Sequence, residues 1–366
     1  MVADFPSTRP LILITNLNCF SMSNTTAPGT NWEVPAELAG KTICQALREF
    51  LPDQSWRQIR KMVERRRVKV SGVLCLDVAR RLTASENVFL AEAPFPPPPD
   101  DGDVNILHLD ESIVVIEKPS GMVSLRHVAE INWPIKRRMQ QPSADESVLR
   151  AVGAATRSKR NLSSLPPKLR RQHVRSVHRL DRDTSGLLVF ARSLEAEQSL
   201  VKQFAEHSVD RVYQAVSVGT PKTGVTRTRL VRDRGDGLRG STASETEGKA
   251  AATHVEAVEP VGQYSLVSCR LETGRTHQIR IHLAEQGNPV CGDTMYRGPF
   301  GGEAVTDESR APRLALHARL LAFNHPESEQ RLEFESELPA DLAGFVDRIR
   351  TASASSGQTA EETGDS

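Results

Sequence analysis

The sequence lacks long apolar runs, a strong net charge and a large share of aromatic residues. Its 366 residues include 47 Lys and Arg against 46 Asp and Glu, and the formal net charge is +1. No apolar run approaches the roughly 20 residues that a membrane-spanning helix requires. The apolar segment 11–15 is too short and too interrupted to predict a signal peptide. We therefore expect a cytoplasmic protein with no membrane partner.

The cysteines are few, odd in number and far apart in the chain. None of them forms a C-x-x-C pair. This spacing predicts neither a disulfide framework nor a zinc site, and reduced cysteines are typical of cytoplasmic proteins. We expect no metal ion. The cysteines are Cys19, Cys44, Cys75, Cys269 and Cys291.

The near-zero net charge conceals two basic blocks. Nine Lys and Arg residues lie between Arg57 and Arg81, against two acidic residues. Thirteen lie between Lys136 and Arg182, against three acidic residues. Such local asymmetry is typical of a protein that presents a basic face to a polyanion, and RNA fits that face.

A proline-rich segment at 93–103 divides the chain, and its four consecutive prolines predict a stiff linker. We expect a disordered leader over 1–40, a small domain over 41–92, a large domain over 104–350 and a disordered tail over 351–366. The large domain contains a basic insertion over about 126–172, which is longer than usual for a connection within a compact domain. We expect this insertion to be an RNA-contacting loop or a mobile one.

The small domain has the pattern of two helices followed by a strand. Ser55 is placed to cap a helix over 56–63, and Arg67–Val73 alternates as a strand that ends in a glycine turn. This order resembles an S4 RNA-binding domain, a small α/β module. Four cations of the second helix are spaced to contact successive phosphates, although a solvated helix face is the alternative. They are Arg57, Arg60, Lys61 and Arg65.

Two segments of the large domain carry the chemistry. His178–Gly186 is a charged turn that leads directly into the apolar run Leu187–Ala191, and such a turn can hold a reactive side chain against a sheet. Taken alone, it could equally be a solvated link between strands. The second segment, Leu271–Ala284, begins a helix for which Thr276 is the predicted N-cap. A last helix is predicted over Leu338–Ile349.

These two segments read H-R-L-D-x-x-T-S-G-L-L and G-R-T-H-Q-I-R-x-H-L. Both resemble the motifs of the RluA-type RNA pseudouridine synthases. Three further segments resemble the same family: Glu117–Met122, Arg211–Gly219 and Gly287–Asp293. The resemblance implies an α+β catalytic domain with a mixed, largely antiparallel central sheet. It also implies isomerisation of uridine to pseudouridine without a cofactor or a metal ion.

The resemblance implies a role for four residues. Asp181 is the catalytic carboxylate, and whether it attacks C1′, adds to the base or removes a proton from C2′ stays open. Arg280 is the fixed cation that keeps a desolvated carboxylate charged, since a guanidinium stays protonated and can bond a carboxylate bidentately. Tyr213 stacks on the uracil. Arg179 either takes the stacking position that the uridine leaves or forms a salt bridge with Asp183 or another acid.

Other functions fit the sequence less well. The H-R-L-D segment lacks the residue order of a kinase catalytic loop, and no D-F-G segment accompanies it. Gly235–Gly240 reads G-x-G-x-x-G, but no buried strand precedes it and no apolar helix follows, which argues against a dinucleotide site. We expect a monomer that modifies large-subunit ribosomal RNA. Transfer RNA is the alternative substrate, and a non-catalytic RNA-binding or ribosome-assembly protein is the alternative function.

Overall fold

The computed structural model describes residues 29–126, 130, 135–158 and 174–361. These residues form two β-sheets, each with its own apolar core. The strands are β1 (Gly29–Glu33), β2 (Val68–Val70), β3 (Val73–Leu74), β4 (Asn87–Ala91), β5 (Asn105–Leu109), β6 (Ile113–Lys118), β7 (Arg175–Ser176), β8 (Ser185–Ala191), β9 (Asp210–Val218), β10 (Gly224–Val231), β11 (Gly240–Thr242), β12 (Lys249–Val261), β13 (Tyr264–Leu271), β14 (Leu316–Asn324) and β15 (Arg331–Glu335). The helices are α1 (Ile43–Phe50), α2 (Trp56–Glu64), α3 (Ile135–Gln140), α4 (Ala144–Ser158), α5 (Leu194–Ala205), α6 (Gln278–Glu285) and α7 (Ala340–Glu361).

The small sheet has the strand order β1-β4-β2-β3, and each neighbouring pair is antiparallel. Helices α1 and α2 cover it with buried side chains such as Leu47 and Ile59. Ser55 caps α2 as the sequence predicts: its hydroxyl accepts the N–H of Gln58, and the Gln58 side chain accepts the N–H of Ser55. This reciprocal capping fixes where the basic helix begins.

The prediction of a disordered leader over 1–40 is wrong from residue 29 onward. Strand β1 pairs along its whole length with β4. Trp32 stacks on Phe50 with ring centroids 5.1 Å apart, and Val34 is buried in the small core. The apolar surface of these two side chains stabilises the strand. Residues 1–28 of the expected leader lie outside the described residues.

The large sheet has the order β11-β10-β12-β13-β9-β14-β8-β6-β5, and β15 and β7 pair with β14 and β8. Only the contact between β14 and β8 is parallel among the described strands. Residues of β6 and β8 alternate between two cores, so both faces of these strands are buried. This mixed, largely antiparallel sheet with covering helices confirms the predicted α+β class.

The basic insertion is in part helical, which corrects the expectation of a loop. Helix α4 buries Ala144, Val148 and Val152 in the core of the large sheet. Arg126 Nη2 lies 2.7 Å from an oxygen of Glu146, and Arg138 pairs with the same carboxylate. These two cations are therefore held within the segment by the carboxylate of Glu146. Residues 127–129, 131–134 and 159–173 of the insertion lie outside the described residues.

Helix α7 corrects the expected end of the large domain. The sequence predicts a helix over 338–349, whereas α7 continues to Glu361. Its buried residues Leu342, Phe345 and Val346 belong to the core of the large sheet, which anchors its first turns. Residues 362–366 lie outside the described residues. No helix within the described ranges is long and apolar enough to cross a membrane.

Candidate active site

Asp181 lies in the loop between β7 and β8, and the backbone on both sides of it is fixed. The Ser124 hydroxyl donates to the carbonyl of Leu180 at 2.8 Å and accepts the Leu180 N–H at 2.9 Å. On the other side, Lys118 Nζ donates to the carbonyl of Arg182 at 3.0 Å. Because these contacts come from another segment, the position of Asp181 depends on tertiary packing.

Lys118 is a buried cation that links two loops. Its ammonium also donates to the carbonyls of Pro119 at 2.9 Å and Met122 at 2.8 Å, so three N–H donors have three acceptors. Burial lowers the pKa of Lys118 to about 7, although the charges of Asp183 and Asp181 act in the opposite direction. The sequence reasoning matched this Lys-Pro segment to the family without finding its contact to the Asp181 loop.

Arg280 faces Asp181 from the first turn of α6. Its Nη1 lies 3.9 Å from Asp181 Oδ2, which is beyond hydrogen-bond distance. The bidentate partner of Arg280 is Asp293 instead, with Nε to Oδ2 at 2.6 Å and Nη2 to Oδ1 at 2.8 Å. Burial acts to lower the pKa of Arg280, but its bonds to Asp293 outweigh burial and hold the pKa above its ordinary value. The cation therefore stays charged beside Asp181.

Asp293 is a site residue whose role the sequence reasoning missed. Its side chain has no exposed surface. Besides binding Arg280, its Oδ1 accepts the N–H groups of Met295 at 2.8 Å and Tyr296 at 3.0 Å. The available signal was its place as the last residue of the G-x-P-x-x-G-D match.

A histidine–tyrosine pair completes the surroundings of Asp181. His277 Nδ1 lies 2.8 Å from the Tyr296 hydroxyl, and His277 Nε2 lies 3.9 Å from Asp181 Oδ1. Burial lowers the pKa of His277, against the charge of Asp181, and burial raises the pKa of Tyr296 to about 12. At neutral pH the imidazole and the phenol are therefore uncharged. When the hydroxyl donates to Nδ1, the ring proton lies on Nε2 and faces Asp181.

The start of α6 differs from the predicted N-cap. His277 occupies the N-cap position in the left-handed region, with φ of 60°, and forms no side-chain cap. Thr276 is therefore not the cap. Gln278 Oε1 instead accepts the N–H of Arg275 at 3.0 Å, which fixes the turn that leads into the helix. A left-handed conformation is uncommon for residues other than glycine, and tertiary contacts such as the bond to Tyr296 help to maintain it here.

Tyr213 lies on β9 and is 8% exposed. Burial raises its pKa to about 12, Arg211 opposes this shift and Asp181 adds to it. Arg211, which replaces the lysine of the family motif, donates to the carbonyl of Glu272 at 2.8 Å and ties β9 to the end of β13. The phenol of Tyr213 is therefore neutral and held at a fixed place near Asp181.

Asp181, Tyr213 and Arg280 line one cavity of about 510 Å³. Apolar side chains, including Ile279 and Leu316, form part of its wall. The cavity thus combines a carboxylate, a nearby fixed cation and an aromatic ring, which suits a flat polar base with an attached sugar. Among the described residues, no group of three or more His, Cys, Asp or Glu side chains is arranged to ligate a metal ion.

Of the five predicted RNA-contacting residues, Arg179 lies at this cavity and the other four lie elsewhere. Arg179 is exposed and lines the same cavity, and no carboxylate of the described residues forms an ion pair with it. The salt bridge considered for Arg179 is therefore absent from this part of the structure. The other four cations belong to the small sheet and its helices, residues 29–91, which we call the small unit, and they do not line the cavity. They are Arg57, Arg60, Lys61 and Arg65, and all four are exposed.

Comparison with known proteins gives the family. The RNA pseudouridylate synthase family model matches residues 112–285, a segment that contains Asp181, Tyr213 and Arg280. The chain is 32% identical over 342 residues to ribosomal large subunit pseudouridine synthase D of Neisseria meningitidis serogroup B, covering 90% of this chain and 84% of the relative. It is 32% identical over 322 residues to the protein of the same name from Escherichia coli O157:H7, covering 85% and 91%.

A solved structure gives the fold independently. Human RNA pseudouridylate synthase domain containing 4 aligns with a TM-score of 0.51 and 22% identity, over 67% of this chain and 93% of that one. This likeness confirms the predicted pseudouridine synthase fold. Since about a third of the residues are identical to these relatives over most of both chains, the chain belongs to the RNA pseudouridylate synthase family and is an RNA pseudouridine synthase.

Proposed function

We propose that this enzyme isomerises uridines of large-subunit ribosomal RNA and that Asp181 is its catalytic carboxylate. The main support is one cavity that Asp181, Arg280 and Tyr213 line together, in which the carboxylate of Asp181 faces the guanidinium of Arg280. The names of the relatives, ribosomal large subunit pseudouridine synthase D, support ribosomal RNA as the substrate. Three residues that the chemistry requires are present together, which favours an enzyme over a non-catalytic RNA-binding protein.

The proposed reaction balances without a redox partner. The bond between N1 and C1′ breaks, the uracil turns within the cavity, and a bond forms between C5 and C1′. C5 loses a proton and N1 gains one. Attack at C1′, addition to the base and proton removal from C2′ each require an ionised carboxylate next to the nucleoside. Arg280 places a fixed positive charge 3.9 Å from that carboxylate.

Tyr213 and Arg179 receive roles in substrate binding. The buried ring of Tyr213 offers a flat apolar surface for stacking on the uracil. Arg179 is exposed at the cavity and is available to stack in the place that the uridine vacates. Both roles require that the uridine leaves the RNA stack before it reacts.

The test uses carbodiimide mapping of pseudouridine in total RNA from a host that lacks its own counterpart. The intact protein should produce stops at defined uridines of large-subunit ribosomal RNA, and Asp181→Asn should remove them while RNA affinity is kept. Asp183→Asn is the matched control, because Asp183 belongs to the same loop but does not line the cavity. Stops in transfer RNA alone would replace the proposed substrate. Retained turnover by purified Asp181→Asn would refute the role of Asp181.

We further propose that the small unit is an S4-like RNA-binding domain joined by the 93–103 linker to the catalytic domain. Three exposed cations on helix α2 and a fourth at its C-cap, Arg65, have no carboxylate partner among the described residues. Replacing all four with Gln should lower the slope of log affinity against log salt by roughly 3, at about 0.7 per single-strand phosphate contact. Lys202→Gln, on the exposed face of α5, is the control. An unchanged slope would show a solvated helix face. The four cations are Arg57, Arg60, Lys61 and Arg65.

A further inference from the structure

A second cavity of about 510 Å³ adjoins the active-site cavity. We call it the basic cavity, because four cations and no Asp or Glu line it. The two cavities share the segment 274–276, which directly precedes His277. A chain that occupies the active-site cavity can therefore reach the basic cavity over this shared wall. The four cations are Arg232, Arg239, Lys249 and Arg275.

The acidic residues of the loop that precedes Arg239 form hydrogen bonds and an ion pair within that loop. Asp233 Oδ1 accepts the N–H groups of Gly235 at 2.8 Å and Gly237 at 2.9 Å. Asp236 pairs with Arg234 at 3.0 Å, and Arg234 lies over the ring of Phe300. The acidic residues therefore stabilise the turn, and Arg234 serves the loop itself. The same glycine-rich segment that fails as a dinucleotide site thus has the form of a rigid turn.

The cations of the basic cavity lack such neutralisation. None of Arg232, Arg239, Lys249 and Arg275 has a carboxylate within ion-pair distance among the described residues. The guanidinium of Arg275 donates from its Nε to the backbone carbonyl of Ala250 at 2.9 Å. Four neighbouring like charges without counter-charges create a positive potential that an anion relieves. Phosphates suit such a site, because guanidinium groups bind them bidentately.

We propose that the basic cavity binds the phosphodiester backbone of the RNA nucleotides next to the target uridine. This inference rests on the proposed function and adds a binding site outside α2 and the basic insertion. The shared wall at 274–276 favours an RNA strand over a free anion, because the strand must continue beyond the nucleotide held near Asp181. In this arrangement Arg239 and Lys249 bind phosphates while Asp181 acts on the sugar.

The test compares full-length wild type with Arg239→Gln/Lys249→Gln, using an RNA fragment that the intact enzyme modifies. The double variant should raise KM at least roughly tenfold, as expected for lost charge-assisted hydrogen bonds, with a smaller effect on kcat. It should also lower the salt slope of RNA affinity by about 1.4, at about 0.7 per single-strand contact. Lys202→Gln should change neither quantity. An unchanged KM and salt slope in the double variant would overturn the proposal.

Two further measurements separate the remaining outcomes. Arg239→Lys keeps the charge and should keep the wild-type salt slope, whereas a slope as low as that of Arg239→Gln would point to altered folding and overturn the proposal. Inorganic phosphate should inhibit wild type competitively with RNA. Phosphate binding without any change of RNA affinity in the double variant would assign the cavity to a free anion and overturn the proposal. If wild type forms no pseudouridine, the proposed function fails, while the salt slope still tests the cavity.

Discussion

Removing the charge of Asp293 should weaken both the fold and the reaction. Asp293→Asn keeps the size of the side chain but replaces one carboxylate oxygen with an N–H donor. That donor would face either Nε or Nη2 of Arg280, which now donate to Asp293 at 2.6 Å and 2.8 Å. The guanidinium would lose its orientation toward Asp181, at 3.9 Å from Nη1.

The expected magnitude follows from burial. The Asp293 side chain has no exposed surface, and Arg280 is 8% exposed. Removing one partner of a buried ion pair costs about 3–5 kcal/mol of unfolding free energy. At about 2–4 °C of Tm per kcal/mol for a domain of this size, the melting temperature should fall by roughly 6–20 °C. Misplacement of the cation by an ångström should lower kcat on the order of 10²-fold.

Calorimetry and single-site pseudouridine assays measure the two effects, and the chain supplies a matched control. Asp341 forms the same bidentate pair with Arg313, at 2.6 Å and 3.1 Å, but its side chain is 45% exposed. Asp341→Asn should therefore cost no more than about 1 kcal/mol. If Asp293→Asn is as stable and as active as Asp341→Asn, the reasoning about the Asp293–Arg280 pair is refuted.

Three further predictions concern the loop, the pH and the ring. Ser124→Ala should cost about 1–3 kcal/mol and lower kcat more than RNA affinity, because the buried polar groups of Leu180 lose their partner; unchanged kinetics would contradict this. Burial lowers the pKa of His282 and His317 from 6.5 to about 4. Below pH 6.5 the unfolded chain binds protons that the folded one does not. The contribution of these histidines to the unfolding free energy should therefore be fully present above pH 6.5. It should fall toward pH 4 by up to about 1.4 kcal/mol per pH unit for each histidine, and a flat Tm profile would refute this. With a Tyr213 pKa of about 12, Tyr213→Phe and wild type should have pH–rate profiles of the same shape between about pH 6 and 9, and different shapes would show that the hydroxyl titrates.

The sequence predicts the residues of the site better than their partners. Asp181, Tyr213 and Arg280 each belong to a local motif, so their meeting in one cavity could be expected before the structure. The contacts of Asp293 to Arg280 and of Ser124 to Leu180 join segments far apart in the chain. No local pattern reports such contacts, because they arise only when the sheet brings the segments together.

The predicted boundaries of the leader and of the basic insertion were wrong for a different physical reason. Strand β1 has little pattern of its own and is stabilised by pairing with β4, which a polar, proline-containing sequence does not reveal. Helix α4 begins inside a stretch that the abundance of Lys and Arg made resemble a loop. Its Ala144, Val148 and Val152 have helical spacing, and tertiary packing against the core decides their state.

Every residue of β8 is buried, and this strand begins four residues after Asp181. Its amides should exchange with solvent near the rate set by global unfolding, since core strands open only when the domain does. The proposed catalytic carboxylate, Asp181, is thus attached to one of the least deformable parts of the protein. The adjustments that bring uridine and carboxylate together must then come mainly from the RNA. Such an enzyme would discriminate between RNA sites by how readily each one deforms, in addition to the bases that it contacts.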